Sequence, residues 1–419
     1  MARRVNRLLD TPAASLDAYR AAGGYRALDE LSAGTRTPAS LQADVASAGL
    51  RGRGGAWFPL ARKWQVALEN PGPRVVIANG AEDEPGSLKD RHLMAHGPHL
   101  VLDGALLSAA ALGAETVRLY VNEHAPAAAA ALQGALAEAT AAGLTHGVDI
   151  TIVRAPATYV AGEDSAATEF LASGTAQPRT KPPYPAAEGL HGRPTVVSNV
   201  ETLAHLALVG RDGPALYRSF GTESCPGTML ITIPEECVAP GVYEVVIGTY
   251  LDAVLAADGK GFVAGPARGV QVGGPASGWL TDLHVALDPD SVAAAGSTLG
   301  CGALRVLAKD HCAVDAVVST SEFFNREQCG KCPPCRMATQ FIHRATLAVL
   351  DGKGQVAQLD TAPTLIGQIR PATACSLPTF PLAPLTTART VFADDFATHL
   401  AGGECGLVHR RRSLRIEGT

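Results

Sequence analysis

No stretch of this chain is apolar for long enough to cross a bilayer. The nearest, Leu100 to Leu112, is short and carries Asp103. The start, Met1-Ala-Arg-Arg-Val-Asn-Arg, is basic but lacks the apolar run of a secretory signal. A basic surplus is missing too: the formal net charge is -5, which argues against nucleic acid as the main partner. The nine cysteines form no paired framework, since their number is odd and three crowd together. A disulfide-stapled fold is thereby excluded and a reducing compartment expected. Among the twelve histidines there is no H-E-x-x-H pair, and no serine stands in a nucleophile elbow. Hydrolase chemistry has little support. The expectation is a cytoplasmic chain, or one peripheral to a membrane-bound assembly.

What the sequence does have is apolar material, 47% of 419 residues, enough for roughly two to four domains. It also has a cysteine triplet, Cys329-Gly-Lys-Cys332-Pro-Pro-Cys335, with Cys375 downstream. This spacing lets a turn running into a helix bring three thiols toward one point. Four thiolates satisfy a [4Fe-4S] cluster; a four-cysteine zinc site and a thiol redox pair are the rivals. Zinc sites more often use two separate C-x2-C knuckles, so a triplet plus a distant single favours iron–sulfur. Cys225, Cys237, Cys301, Cys312 and Cys405 show no metal spacing and read as structural thiols.

The first fifty residues read as two short helices, Ser15 to Ala22 and Thr37 to Val45, the second with an N-cap threonine followed by proline. From Arg74 onward, apolar runs alternate with helices. Val75 to Ala78, Thr116 to Val121 and Asp149 to Arg154 read as strands, Leu100 to Leu112 and Ala125 to Ala142 as helices. Such alternation predicts a three-layer α/β domain with a mainly parallel sheet. Proline and charge dominate residues 175 to 195, which read as an extended surface. Thr228 to Ile233, Gly241 to Ile247 and Gly269 to Gly274 then read as strands with one helix, Leu251 to Ala257, an α+β module of β-grasp type. Beyond Val314 the pattern is helical. The expected domains are 1–222, 223–305 and 306–419.

Ligands of parallel sheets sit at the carboxyl ends of the strands. Two acidic loops fall there: Glu82-Asp83-Glu84 after the first strand and Glu163-Asp164 after the third. Carboxylates in such places accept hydrogen bonds from ribose or a flavin edge, although a single acidic turn is more often simply solvated. Gly52-Arg53-Gly54-Gly55 offers unobstructed backbone N–H groups to a phosphate, with Arg53 and Lys63 adding charge. An ordinary loop is the competing reading, because Trp57 stands where a G-x-G-x-x-G pattern has its third glycine. Phe58 and Tyr184 could stack on an aromatic ligand.

Six ordered stretches together resemble the NADH-oxidising flavoprotein subunit of respiratory complex I and its relatives in NAD-reducing hydrogenases and formate dehydrogenases. They are Gly49-Leu-Arg-Gly-Arg-Gly-Gly-Ala-Trp-Phe-Pro59, Asn79-Gly-Ala-Glu-Asp-Glu-Pro-Gly-Ser-Leu-Lys-Asp-Arg91, Tyr159-Val-Ala-Gly-Glu-Asp-Ser-Ala166, Lys181-Pro-Pro-Tyr-Pro185, Ser198-Asn-Val-Glu-Thr202 and Glu327-Gln-Cys-Gly-Lys-Cys-Pro-Pro-Cys-Arg336. The resemblance implies an FMN-binding α/β domain, a β-grasp ligand-binding (SLBB) module and a helical domain with one [4Fe-4S] cluster. It implies that FMN is held by Gly52, Arg53, Gly54, Gly55, Lys63, Asn79, Glu82, Gly162, Ser198, Asn199 and Thr202. NADH would lie over the flavin against Phe58, Glu84, Glu163, Asp164, Lys181 and Tyr184, and Cys329, Cys332, Cys335 and Cys375 would carry the cluster. It implies hydride transfer from NADH to flavin N5 without a protein acid or base, then single electrons to the cluster. A thioredoxin-like [2Fe-2S] subunit or other iron–sulfur subunits are the implied partners.

The departures gather in one pocket. Trp57 and Ala81 stand where the family has glycine and aspartate, Ser198 replaces asparagine and Val66 an aromatic, and Asp164 replaces a glutamate near the adenosine ribose. An indole beside the flavin loop is expected to block or reshape the nicotinamide pocket, and the shorter Asp164 to loosen the preference for NADH over NADPH. These changes point to a divergent paralogue; the alternative function is an iron–sulfur relay with altered or lost NAD(P)H use. A third reading makes the middle module a ligand sensor and the cysteines a zinc site.

Overall fold

The computed structural model describes residues 5–409 and 414–415. Its N-terminal helices are Leu16–Ala21 (α1), Arg26–Ser32 (α2), Pro38–Ala48 (α3) and Leu60–Glu69 (α4). The α3 start is a capping box: the Thr37 hydroxyl accepts from Ser40 N at 3.1 Å and the Ser40 hydroxyl from Thr37 N at 3.2 Å. The helix stops where Gly49 turns to φ +66°. α2 is a helix that the sequence pattern had hidden between glycines.

Four parallel strands follow: Val75–Gly80 (β1), Thr116–Asn122 (β2), Asp149–Ala155 (β3) and Thr195–Asn199 (β4), in the order β3-β2-β1-β4. Lys89–His96 (α5), Pro98–Leu112 (α6), Pro126–Ala141 (α7), Asp164–Ser173 (α8) and Val200–Arg218 (α9) surround them. Successive residues of β1 face opposite layers: Val76 and Ala78 join the large core with α6 and α9, Val75 and Ile77 the smaller one with Ala167 of α8. Both faces are dry, as a parallel sheet requires. The expected three strands and two helices form; β4 and α9 were not expected. β4 pairs with β1, so β1 lies at the middle of the sheet and its carboxyl end meets that of β4.

α6 and α9 cross so closely that a Cβ on Gly104 would lie 1.8 Å from the Leu203 carbonyl oxygen. Only glycine permits that approach. Gly104→Ala is expected to cost about 3 kcal/mol or more of stability, read as a lowered denaturation midpoint with the flavin domain's fluorescence as reporter.

The middle of the chain pairs Thr228–Ile233 (β5) with Gly241–Val246 (β6) in antiparallel fashion, followed by Leu251–Ala257 (α10). Gly269–Gln271 (β7) does not join them. It pairs with Arg305–Leu307 (β8), a strand too short to stand out in sequence, and Pro289–Ala294 (α11) adds a second helix. The last region is helical: Ala313–Arg326 (α12), Pro333–Leu350 (α13), Val356–Ile369 (α14), Leu382–Val391 (α15) and Ala393–Leu400 (α16). No helix among the described residues is long and apolar enough to cross a membrane.

Candidate functional site

The glycine loop sits against the joined ends of β1 and β4. Gly52 N donates to Phe58 O at 2.9 Å and closes the loop, while Arg53 N donates to the Thr202 hydroxyl at 2.8 Å and pins it to the start of α9. A Cβ on Gly54 would come within 3.2 Å of the Asn199 Cβ, and Gly55 holds φ +107°. The loop is therefore a bare backbone surface. The Arg53 side chain does not serve it: the guanidinium turns inward to the carbonyls of Thr228 at 3.1 Å and Arg51 at 2.7 Å and to the Tyr217 hydroxyl at 3.0 Å. Its charge is used to hold the loop on β5, and its backbone N–H is taken by Thr202, so Arg53 shapes the loop while Gly54 and Gly55 present the bare backbone. Lys63 is the cation at this end. Its amine donates to Val197 O at 2.7 Å, and burial lowers its pKa against the opposing pull of Asp164.

At the end of β1, Asn79 donates to Gly162 O at 2.8 Å, which ties the strand to the turn Tyr159–Gly162. Glu82 points away from the strand ends. Its carboxylate caps α5, accepting from Asp90 N at 2.8 Å and Arg91 N at 2.9 Å, so its role is to shape the loop. The Asp83 carboxylate takes Asn122 Nδ2 at 2.6 Å with one oxygen, while the other, buried and without a partner, lies 3.7 Å from where a Gly162 Cβ would be, next to the Ala81 methyl. Glu84 and Ser198 also keep a buried oxygen unsatisfied. Such atoms on Asp83 and Ser198 near the ends of β1 and β4, with bare glycines and one lysine, suit a ligand that brings N–H and hydroxyl donors together with a phosphate. FMN is such a ligand.

Glu84 accepts from the Tyr159 hydroxyl at 2.8 Å, yet burial pushes its pKa up to about 7. The folded chain thus keeps a proton that the unfolded chain releases near 4.5. The stabilisation is present below that value and lost as pH rises through 7. Glu84→Gln removes this titration. In denaturant titrations of flavin-free protein it should match wild type near pH 4.5 and exceed it at about pH 8 by about 3 kcal/mol.

Glu163 caps α8, accepting from Ala166 N at 2.9 Å, and Lys181 reaches both Glu163 and Asp164. The Lys181 amine stands 5.8 Å from the Tyr184 ring centroid. Tyr184 and Phe58 are both at least half exposed, 58% and 50%, and so free to stack on a flat ligand. Trp57 turns toward the middle region of the chain. Its indole donates to Gly300 O at 2.8 Å, lies under the Arg53 guanidinium and joins the core of the β5–α11 region. A backbone φ of +53° turns it away. It is 7% exposed and ties the glycine loop to the middle region of the chain.

Beneath the loops runs a buried ionic network that sequence reading missed. Lys89 bonds Asp90 at 2.7 Å and Glu201 at 2.8 Å, and Asp90 accepts from Asn199 at 2.6 Å. Burial and neighbouring carboxylates push Asp90 up to about 7, whereas Lys89 holds Glu201 down at about 2. The signal was present in Lys89-Asp90 and Glu201, but nothing in sequence marks them as buried.

Cys329, Cys332, Cys335 and Cys375 line one recess together with Val160, Pro178 and Leu377. They do not draw in to the spacing of a single-ion site. They face one common recess, and Ala374 N already donates to Cys332 Sγ at 3.4 Å. Burial and the neighbouring cysteines raise Cys335 to about 12 and Cys375 to about 11. Phe323, Phe324 and Tyr159 keep the surroundings apolar.

Residues 45–208 match the family described as Nuo51 FMN-binding domain, and residues 315–399 the NADH-ubiquinone oxidoreductase-F iron-sulfur binding region. The NADH-quinone oxidoreductase F subunit of Streptomyces coelicolor is 34% identical over 402 residues, covering 93% of this chain and 89% of that one. The chain belongs to the family of NADH-quinone oxidoreductase F subunits. A relative in Rhizobium meliloti, the second F subunit of that organism, is 35% identical over 93% of this chain and 95% of its own. The NADP-reducing hydrogenase subunit HndC of Solidesulfovibrio fructosivorans is 32% identical, covering 93% and 82%. Among solved structures, an NAD+-reducing [NiFe]-hydrogenase chain in the air-oxidised state superposes with a TM-score of 0.82 at 30% identity, over 95% of this chain and 67% of that chain. As a member of this family, the chain carries an FMN site and an iron–sulfur site in the order the sequence implied.

Proposed function

We propose that this chain is the electron-input subunit of an oxidoreductase, taking electrons from NADH and passing them to an iron–sulfur partner. One observation carries the reading. The turn Tyr159–Gly162 forms part of both sites: Gly162 receives the Asn79 bond at the strand ends, and Val160 lines the cysteine recess two residues earlier. Two residues of chain reach at most about 7 Å, so the two cofactors share a wall. FMN supplies acceptance of a hydride and release of single electrons, the conversion this pairing needs.

The residues supply binding and orientation. The Gly54–Gly55 backbone and Lys63 hold the phosphate, on a loop closed by Gly52 and Arg53; Asn79, Asp83 and Ser198 meet the ring, with Asp83 supplying a carboxylate where Ala81 has none. Asn199 and Thr202 fix the loop, and Glu82 shapes it. Phe58, Glu84, Glu163, Asp164, Lys181 and Tyr184 form the nucleotide face. Cys329, Cys332, Cys335 and Cys375 carry the [4Fe-4S] cluster. The division into 1–222, 223–305 and 306–419 is part of this proposal, as are a thioredoxin-like [2Fe-2S] companion and a peripheral, cytoplasmic position.

Anaerobic titration of cofactor-loaded protein tests it, first with NADH and then with NADPH, following flavin and cluster absorbance separately. Flavin bleaching by NADH before cluster reduction is the expected order. A flavin that binds but is bleached by neither nucleotide defeats the reading. Purification from the native source without an iron–sulfur companion removes the partner.

A further inference from the structure

Four side chains outside both sites meet at the far end of α12. Cys312 precedes that helix, His399 lies in the last turn of α16, and Cys405 and His409 stand one helical-turn spacing apart in the closing segment. Their ligand atoms all lie within 4.8 Å of one another. Cys312 Sγ is 3.3 Å from His399 Nε2, and Cys405 Sγ is 3.1 Å from His409 Nε2. Cys405 and His409 are close in sequence, but Cys312 and His399 come from distant elements, and reading Cys312 and Cys405 as structural thiols missed the group.

A tetrahedral zinc ion with about 2.3 Å to sulfur and about 2.0 Å to nitrogen sets its ligand atoms roughly 3.3–3.8 Å apart. The four groups are within about an ångström of that arrangement. Backbone pairing holds the closing segment in place without help from the side chains: Val408 N donates to Asp310 O at 2.7 Å, and Cys312 N to Val408 O at 3.2 Å. Asp395, the nearest acid on α16, is already engaged by Arg268 at 2.7 Å and by Ala313 N at 2.8 Å. It serves as an anchor, not as a competing ligand. Two thiolates and two imidazoles are a zinc donor set.

We propose that Cys312, His399, Cys405 and His409 bind one zinc ion in a closed, structural site that staples the segment 401–409 to the iron–sulfur domain. The site is separate from the cysteine recess, because α12 stands between them and its 14 residues span about 21 Å. Burial and the nearby Cys405 sulfur raise the Cys312 thiol to about 12 when no cation is present. A zinc ion reverses that cost by displacing the protons.

The test uses full-length protein loaded with FMN and iron–sulfur cluster, purified without chelator and without a polyhistidine tag. Elemental analysis should give about one zinc per chain beside the cluster iron. The double variant Cys405→Ser, His409→Ala changes only partly or fully exposed positions. It should lower zinc at least about tenfold, with FMN and iron contents unchanged as the control for folding. X-ray absorption at the zinc edge should show two sulfur and two nitrogen neighbours, which separates this site from zinc misplaced among Cys329, Cys332, Cys335 and Cys375. Protease cleavage within 401–409 should accelerate in the variant. Absence of zinc, zinc retained by the double variant, an all-sulfur shell, or a Cys312–Cys405 disulfide in the purified protein overturns the proposal.

Discussion

In the molecules that retain FMN, Cys335→Ala should leave NADH able to bleach the flavin at close to the wild-type rate while reduction of a one-electron acceptor falls at least roughly 100-fold. Cys335 is buried in the first turn of α13, shares its recess with Cys329, Cys332 and Cys375, and makes no contact with the glycine loop. Its loss removes one of four cluster thiolates and leaves the nucleotide face as it was. Stopped-flow absorbance for the flavin and electron paramagnetic resonance of the reduced cluster read the two halves independently. If flavin bleaching disappears while FMN remains bound, the two sites are not successive stations and the proposed direction of flow is wrong.

Glu201→Ala should be the most destabilising single change in the FMN domain, by about 3–5 kcal/mol. The Lys89 amine is 1% exposed and keeps its charge only through Asp90 and Glu201. Glu201 also accepts from Leu230 N at 2.8 Å, so its removal strands a buried donor on β5 as well. The effect should reach the ligand, because Asp90 holds Asn199 and Asn199 backs Gly54. FMN affinity is expected to drop together with the denaturation midpoint. Glu201→Gln keeps a partner for Leu230 N and loses only the charge, so it should retain the fold and show the smaller loss. Equal behaviour of the two variants would mean that the charge, not the hydrogen bond to Leu230 N, governs the site.

The parallel sheet was legible because Val75 to Ala78, Thr116 to Val121 and Asp149 to Arg154 are apolar runs separated by helical lengths. β4 was not. Thr195-Val-Val-Ser-Asn is only five residues long and follows a proline-rich segment, and its identity as a strand depends on the partner it finds in β1. α9 was obscured by Gly210 and by Gly213-Pro214, where the helix breaks. The cluster cysteines could be read because one turn supplies three ligands. Cys312, His399, Cys405 and His409 could not, since only the packing of α12 against α16 and the bridge at Val408 brings them together. Trp57 shows a different limit. Its type and place were plain, but its direction follows from a left-handed backbone that a bulky residue rarely adopts. The move from Ala81 to Asp83 was equally hidden, because the bend at Glu82, φ +29°, decides where the next carboxylate lands.

The turn Tyr159–Gly162 has a consequence for how the holoprotein is made. It is short, it is packed by Phe323, Phe324 and Phe380 through the Tyr159 ring, and it contributes to both cavities. Whatever seats the cysteines around their iron also seats the floor on which the flavin rests. Maturation should therefore be ordered, with iron loading ahead of flavin retention. Across preparations of differing iron content, FMN occupancy should rise in step with iron, and cells starved of cluster assembly should accumulate a colourless chain.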